Sequence, residues 1–142
     1  MRGKDFNPSL VNTTVYALLY QSDARVAQTR SDLDRILSAS VPRNAAEGIT
    51  GMLMYGGMKR LPDVPGQFVQ WLEGPEDAVV ASYERIRHDH RHSDVRILAK
   101  GPAAVLTGTN ERLFPQWSME LMRLSDLPGT LYGFLNATRL AA

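Results

Sequence analysis

Cysteine is absent from the 142-residue chain. That removes thiolate zinc sites, iron-sulfur clusters and cysteine nucleophiles, and it leaves no disulfide from which secretion could be argued. Neither sign of charge dominates: 16 Lys and Arg against 15 Asp and Glu give a formal net charge of +1. No chain-wide field therefore draws the protein to nucleic acid or to an anionic membrane, and neither partner is expected. Long apolar runs are missing as well, and the first ten residues carry Arg2, Lys4 and Asp5. The expectation is a cytoplasmic protein with neither signal peptide nor membrane span. What is present suits one folding unit, because a chain of this length with 44% apolar residues makes an ordinary core without metal or disulfide support.

The apolar pattern divides the chain into elements. Val15 to Tyr20 is β-branched, aromatic and unbroken, as a strand buried on both faces would be. Ser31 with Asp34 forms an imperfect capping box, and Leu33, Ile36, Leu37 and Ser40 follow at helical spacing, with an end expected near Asn44. Gly48 breaks the pattern before a second strand, Ile49 to Tyr55. Gly56, Gly57, Pro62, Pro65 and Gly66 then make a long loop before Gln67 to Leu72, a third strand. Gly74-Pro75-Glu76-Asp77 starts a second helix with the buried stripe Val79, Tyr83 and Ile86. Val95 to Ala99 and Trp117 to Leu121 are the fourth and fifth strands.

The order βαββαββ with right-handed crossovers predicts an α+β, ferredoxin-like fold: a mixed five-stranded sheet with both helices on one face. The first and third strands are expected as parallel central neighbours. Alternation then places Tyr20 and Gln70 on one buried face, where each needs a hydrogen-bond partner and pairing with each other is the cheapest solution. Residues 1–14 read as an arm, 15–121 as the domain and 122–142 as a helical tail.

With these elements placed, the chain resembles the BLUF domains, blue-light sensors using FAD, over about residues 15 to 121. The matching pieces are Leu18-Leu19-Tyr20-Gln21-Ser22, Asp32-Leu33 through Ile36-Leu37 to Asn44, Gly48-Ile49-Thr50-Gly51, Phe68-Val69-Gln70-Trp71-Leu72-Glu73-Gly74, Tyr83-Glu84-Arg85-Ile86, Asp89 to His92, and Phe114-Pro115-Gln116-Trp117-Ser118-Met119. The resemblance implies a photoreceptor that is not an enzyme. FAD would be held non-covalently, with FMN and riboflavin as alternatives. Light drives electron and proton transfer from Tyr20 to the flavin, and the Gln70 amide relays and rearranges. A separate downstream protein receives the signal, and a homo-oligomer is open.

The resemblance also gives roles to other residues, each with a plainer reading beside it. Asn44 would bond the flavin ring edge, or simply cap the helix. Arg85 would approach a ring carbonyl and Asp89 the ribityl chain, or the two, four residues apart on one helix, would form a solvated ion pair. Ile36 and Ile86 would sandwich the ring while serving the core. Trp117 and Met119 would lie near Gln70 on the last strand, or only fill the core. His88, His90 and His92 invite a metal reading, but a helix end and turn is not expected to keep them on one face; Arg91 and His92 are expected to meet the flavin's polar tail or water.

Two features depart from the family. Pro42-Arg43 stands just before Asn44, where proline could kink or shorten the helix, and the connections 56–66 and 101–113 are long. Lys59 and Arg60 in the first connection are expected to face water or reach phosphates. Pro42 and Arg43 motivate an alternative function, a flavin-free interaction module on the same scaffold. A hydrolase of acylphosphatase type is disfavoured, because Gln21 to Arg25 lacks phosphate-cradling glycines. Finally, Leu131, Phe134 and Leu135, continued by Thr138 and Ala142 with Leu140 off the stripe, suggest a short C-terminal helix. It would cover the sheet face that both crossover helices leave bare, or pack on a second subunit.

Overall fold

The computed structural model describes the backbone of residues 14–141 and the side chains of residues 14–138. The arm, apart from Thr14, lies outside the described residues, as do Ala142 and the Leu140 side chain. Five strands form one sheet: β1 (Tyr16–Ala24), β2 (Thr50–Gly57), β3 (Gln67–Gly74), β4 (His92–Pro102) and β5 (Ser118–Arg123). Their order is β4-β1-β3-β2-β5. The helices are α1 (Arg30–Ala46), α2 (Glu76–Arg87), the five-residue α3 (Ala103–Thr107) and α4 (Leu131–Ala141), with a 3-10 turn at Leu124–Asp126.

The order of the five strands and the two large helices is as expected, but β1 and β3 are antiparallel, not parallel. A crossover through a helix preserves strand direction, so β2 keeps the direction of β1. The β2–β3 hairpin then reverses it, and β3 enters between β1 and β2 antiparallel to both. Only β5, at the edge, is parallel to its neighbour β2.

Several element ends also move. The capping box of α1 is Thr29–Asp32, not Ser31–Asp34: the Thr29 side chain accepts from the Asp32 amide while the Asp32 carboxylate accepts from the Thr29 amide. Its hydrogen bonds with Thr29 hold the Asp32 carboxyl below the usual range. Pro42 does not shorten α1, which continues to Ala46; the stop comes at Gly48, whose φ of +75° suits glycine. Gly51 has a different reason for being glycine, since a Cβ there would stand 1.8 Å from the Trp71 carbonyl oxygen.

The long connection after β4 contains α3, which the sequence reading missed, and it is pinned rather than loose. The fully buried Glu73 at the end of β3 accepts from the amides of Leu113 (3.0 Å) and Phe114 (2.6 Å). In the opposite direction Arg112 donates to Gly48 O (2.7 Å) and Thr50 Oγ1 (2.8 Å). Charge-assisted bonds of this kind are among the stronger ones a fold can make.

Strand alternation separates two cores. On one face Tyr16, Leu18, Tyr20, Leu72, Leu53, Tyr55 and Phe68 meet Leu33 of α1 and Val79 and Tyr83 of α2. On the other, Ala17, Leu19, Met52, Met54, Val69 and Trp71 are covered by Phe134 and Leu135 of α4. The C-terminal helix therefore does cover the bare face, and Trp71 and Phe134 stack with centroids 5.3 Å apart.

Candidate functional site

Helix α1 buries only Leu33 and Asn44. Of its other apolar side chains, Ile36, Leu37 and Ala39 stand over a gap, and that gap is the site. A cavity of about 310 Å³ lies between the sheet and the two large helices. Ile36, Leu37, Ala39, Ser40, Arg43 and Asn44 of α1 line one side, and Ser82, Arg85 and Ile86 of α2 the other. Tyr20, Leu53, Phe68 and Gln70 form the floor, and Asp89, Arg91 and His92 close the end. Such a mostly apolar hollow with a few polar groups has the form of a small-molecule site.

The floor carries the shortest polar contact of the site. Tyr20 and Gln70 are directly opposite in the β1–β3 register, and the Tyr20 hydroxyl donates to Gln70 Oε1 at 2.5 Å. Tyr20 is 3% exposed and Gln70 8%. Burial, reinforced by Asp89 and Tyr83, pushes the Tyr20 phenol well above its ordinary pKa, so it is a hydroxyl donor at any physiological pH. With its oxygen engaged, the Gln70 amide turns its N–H₂ end to other acceptors.

The structure brings seven of the sequence-predicted residues to one cavity: Tyr20, Ile36, Asn44, Gln70, Arg85, Ile86 and Asp89. Asn44 is buried in the last turn of α1 and is not its cap, a position that falls to Glu47. Arg85 and Asp89 do not pair with each other. Arg85 binds Glu47 at 2.9 Å, and Asp89 accepts from the Arg91 amide and guanidinium. Trp117 and Met119 are not among the lining residues. Trp117 precedes β5 and donates from Nε1 to Ile49 O at 3.2 Å, while Met119 lies opposite Leu53 and packs with the core beneath α1.

The sequence reading missed Ser40, Leu53, Phe68 and Ser82 as lining residues and treated Arg43 only as a departure. Ser40 was visible as a member of the α1 stripe, and Phe68 lies two residues before Gln70 and so on its face. His92 lines the end of the cavity yet is only 7% exposed, and both ring nitrogens are engaged by the protein, Nδ1 with Ser22 and Nε2 with Ile86 O. His88 caps α2 and the His90 side chain is 93% exposed, so the three histidines do not converge.

The helices, the sheet order and the cavity between them define a ferredoxin-like α+β domain built around an internal site. The chain belongs to the BLUF family, the sensors of blue-light using FAD, whose family model matches residues 15–120. It is 40% identical over 109 residues to the photoactivated adenylate cyclase subunit beta of Euglena gracilis, a match covering 76% of this chain and 11% of that protein. The chain thus spans about a tenth of the length of such relatives. Among solved structures it is similar to the BLUF protein BlrB in its dark state, with 30% identity and a TM-score of 0.61 over 90% of this chain and 84% of that one. It is also similar to Klebsiella pneumoniae BlrP1 in a calcium and cyclic-diGMP complex, with 27% identity and a TM-score of 0.60 over 89% of this chain and 28% of that one. Among the described residues no helix is long and apolar enough to cross a membrane.

Proposed function

We propose that the protein is a blue-light photoreceptor that holds FAD non-covalently in the cavity between α1, α2 and the sheet, and signals to a separate effector protein. The observation that carries this reading is the buried Tyr20–Gln70 hydrogen bond at the cavity floor. The residues present fit a flavin. Ile36 and Ile86, on opposite helices, offer apolar contact to two faces of a flat ring. Asn44 and Gln70 offer amides, which can serve the alternating donors and acceptors of a flavin edge, and Arg85 offers a cation beside a carbonyl. Asp89 and Arg91 at the end of the cavity suit the polar chain and phosphates.

When bound, the flavin supplies absorption of blue light and an excited-state electron acceptor. Tyr20 holds the transferable proton, aimed at Gln70 Oε1, in a pocket that disfavours its ionised form. Gln70 can answer a change at either end by reversing its amide, which exchanges the hydrogen bonds it offers. Trp117 and Met119, before and on the edge strand, then receive the change through the sheet rather than through direct contact with the flavin. The domain acts as a sensor and turns over no substrate. Adenylate cyclase in the names of the Euglena relatives supports an output to an effector, with residues 15–121 as the sensing domain and 122–142 as its helical tail.

Helix α1 running intact through Pro42, with Asn44 on the cavity wall, favours flavin binding over the flavin-free alternative. The test is to add FAD, FMN or riboflavin to the purified protein and record absorption in darkness and under blue light. A bound flavin with a reversible light-induced red shift is expected; a protein that takes up none of the three would overturn the reading.

A further inference from the structure

His92 lies at the end of the cavity and spends its whole ring on the protein. Ile86 O can only accept, so at 2.6 Å it fixes the proton on Nε2. Nδ1 of the neutral ring is then an acceptor, and the Ser22 hydroxyl donates to it at 2.7 Å. Ser22 is fully buried. It is two residues beyond Tyr20 on β1, so both point to the same face. Ile86 is in the last turn of α2, between Arg85 and the Asp89 turn. The imidazole therefore ties β1 to the end of the helix that carries one wall of the cavity. Its ring also stands edge-on to two others, Tyr20 at 6.0 Å and 78° and Phe68 at 6.2 Å and 79°. Phe68 is two residues before Gln70 on β3.

We propose that His92, locked as its Nε2–H tautomer by Ser22 and Ile86, is a positioning residue for the Tyr20–Gln70 pair. Its ring braces Tyr20 itself and Phe68, which precedes Gln70 by two residues on β3. It touches neither electron nor proton of the photochemistry. A proton donor and its relay held in one alignment react far more efficiently than a pair free to misalign, by factors on the order of a hundred for displacements near 1 Å. The proposal rests on the photoreceptor reading for its consequence, but its geometry can be tested without flavin.

The first measurement uses the flavin-free protein. Nitrogen-15 NMR should show one imidazole protonated at Nε2 in the wild type, and Ser22→Ala should let that ring exchange between tautomers and shift the Tyr20 hydroxyl proton. An Nδ1–H ring in the wild type, or an unmoved Tyr20 hydroxyl signal in Ser22→Ala, would overturn the proposal. The second uses flavin-loaded protein. In His92→Phe, which keeps a ring but loses both ties, the light-induced yield per bound flavin should fall on the order of tenfold. Ser22→Ala should lower the yield in the same direction by less. Wild-type yield in either folded variant would overturn it. A wild type that binds no flavin would strike the photoreceptor reading and leave the NMR outcomes to judge His92.

Discussion

Gln70 and Trp71 are consecutive residues of β3 and face opposite sides of the sheet, Gln70 accepting from Tyr20 in the cavity and Trp71 stacking on Phe134 of α4. Strand alternation makes this inevitable. A change in the strand at Gln70 is one peptide away from the surface on which the C-terminal helix rests. The contact there is apolar, for Trp71 Nε1 is buried without an acceptor among the described residues. Nothing directional at Trp71 locks the helix in place.

Light should accordingly loosen α4. Hydrogen exchange of residues 117–140, measured in darkness and under blue light, is expected to show lower protection of α4 in the light. Identical protection in a protein with an intact photocycle would mean that α4 is a static cover.

The Glu73 clasp makes a stability prediction. Glu73→Gln retains one acceptor oxygen but sets an amide N–H₂ against the other buried backbone N–H, either Leu113 or Phe114. An unsatisfied buried donor costs roughly 1–3 kcal/mol, and the loss should appear as a lower denaturant midpoint. A change below about 0.5 kcal/mol, ordinary for surface substitutions, would show that the connection is held by other contacts.

Asn44→Ala should leave the fold intact and weaken flavin binding. One lost hydrogen bond of about 1 kcal/mol corresponds to about a fivefold higher Kd, measurable by titration followed through flavin fluorescence. An unchanged Kd would remove Asn44 from the ring edge.

Tyr20 should stay protonated where exposed phenols ionise. Its pKa is raised by burial first and by Asp89 and Tyr83 after that, so it should remain a phenol at about pH 11, above the ordinary phenol value. The sign for stability follows. The contribution is complete below the unfolded value of 10.0 and is lost as pH rises beyond it, because only the unfolded phenol ionises there. Tyr20→Phe should flatten that alkaline decline in a chemical-denaturation series, and an equal slope in both proteins would contradict the assignment.

Much of the fold and site is legible in the sequence, for reasons that differ by residue. Alternation put Tyr20 and Gln70 on one face even though the expected strand direction was wrong, because the face depends on parity along each strand and not on its sense. The stripe of Leu131, Phe134 and Leu135 gave α4, and the need to cover the second face gave its place. What could not be read were interactions between distant segments. Glu73 and Arg112 look like surface charges in the chain, and only the return of residues 109–117 beside β3 buries the first and gives both partners. His92 is similar: its partners Ser22 and Ile86 are 70 and 6 residues away, and no local pattern joins them. The capping box was misplaced by two residues because Thr29 and Ser31 are both competent caps, and the backbone entry into α1 decides between them.

The central claim is that the Tyr20–Gln70 hydrogen bond is the photochemical switch. Its most direct test is the light-minus-dark absorption spectrum of the flavin-loaded wild type beside Tyr20→Phe and Gln70→Leu. Tyr20→Phe removes one oxygen from a buried ring, and Gln70→Leu removes the amide at similar volume. Both should still bind flavin, with a displaced dark spectrum in Gln70→Leu, and both should lose the reversible red shift that the wild type shows. A normal, reversible red shift in either variant would contradict the account.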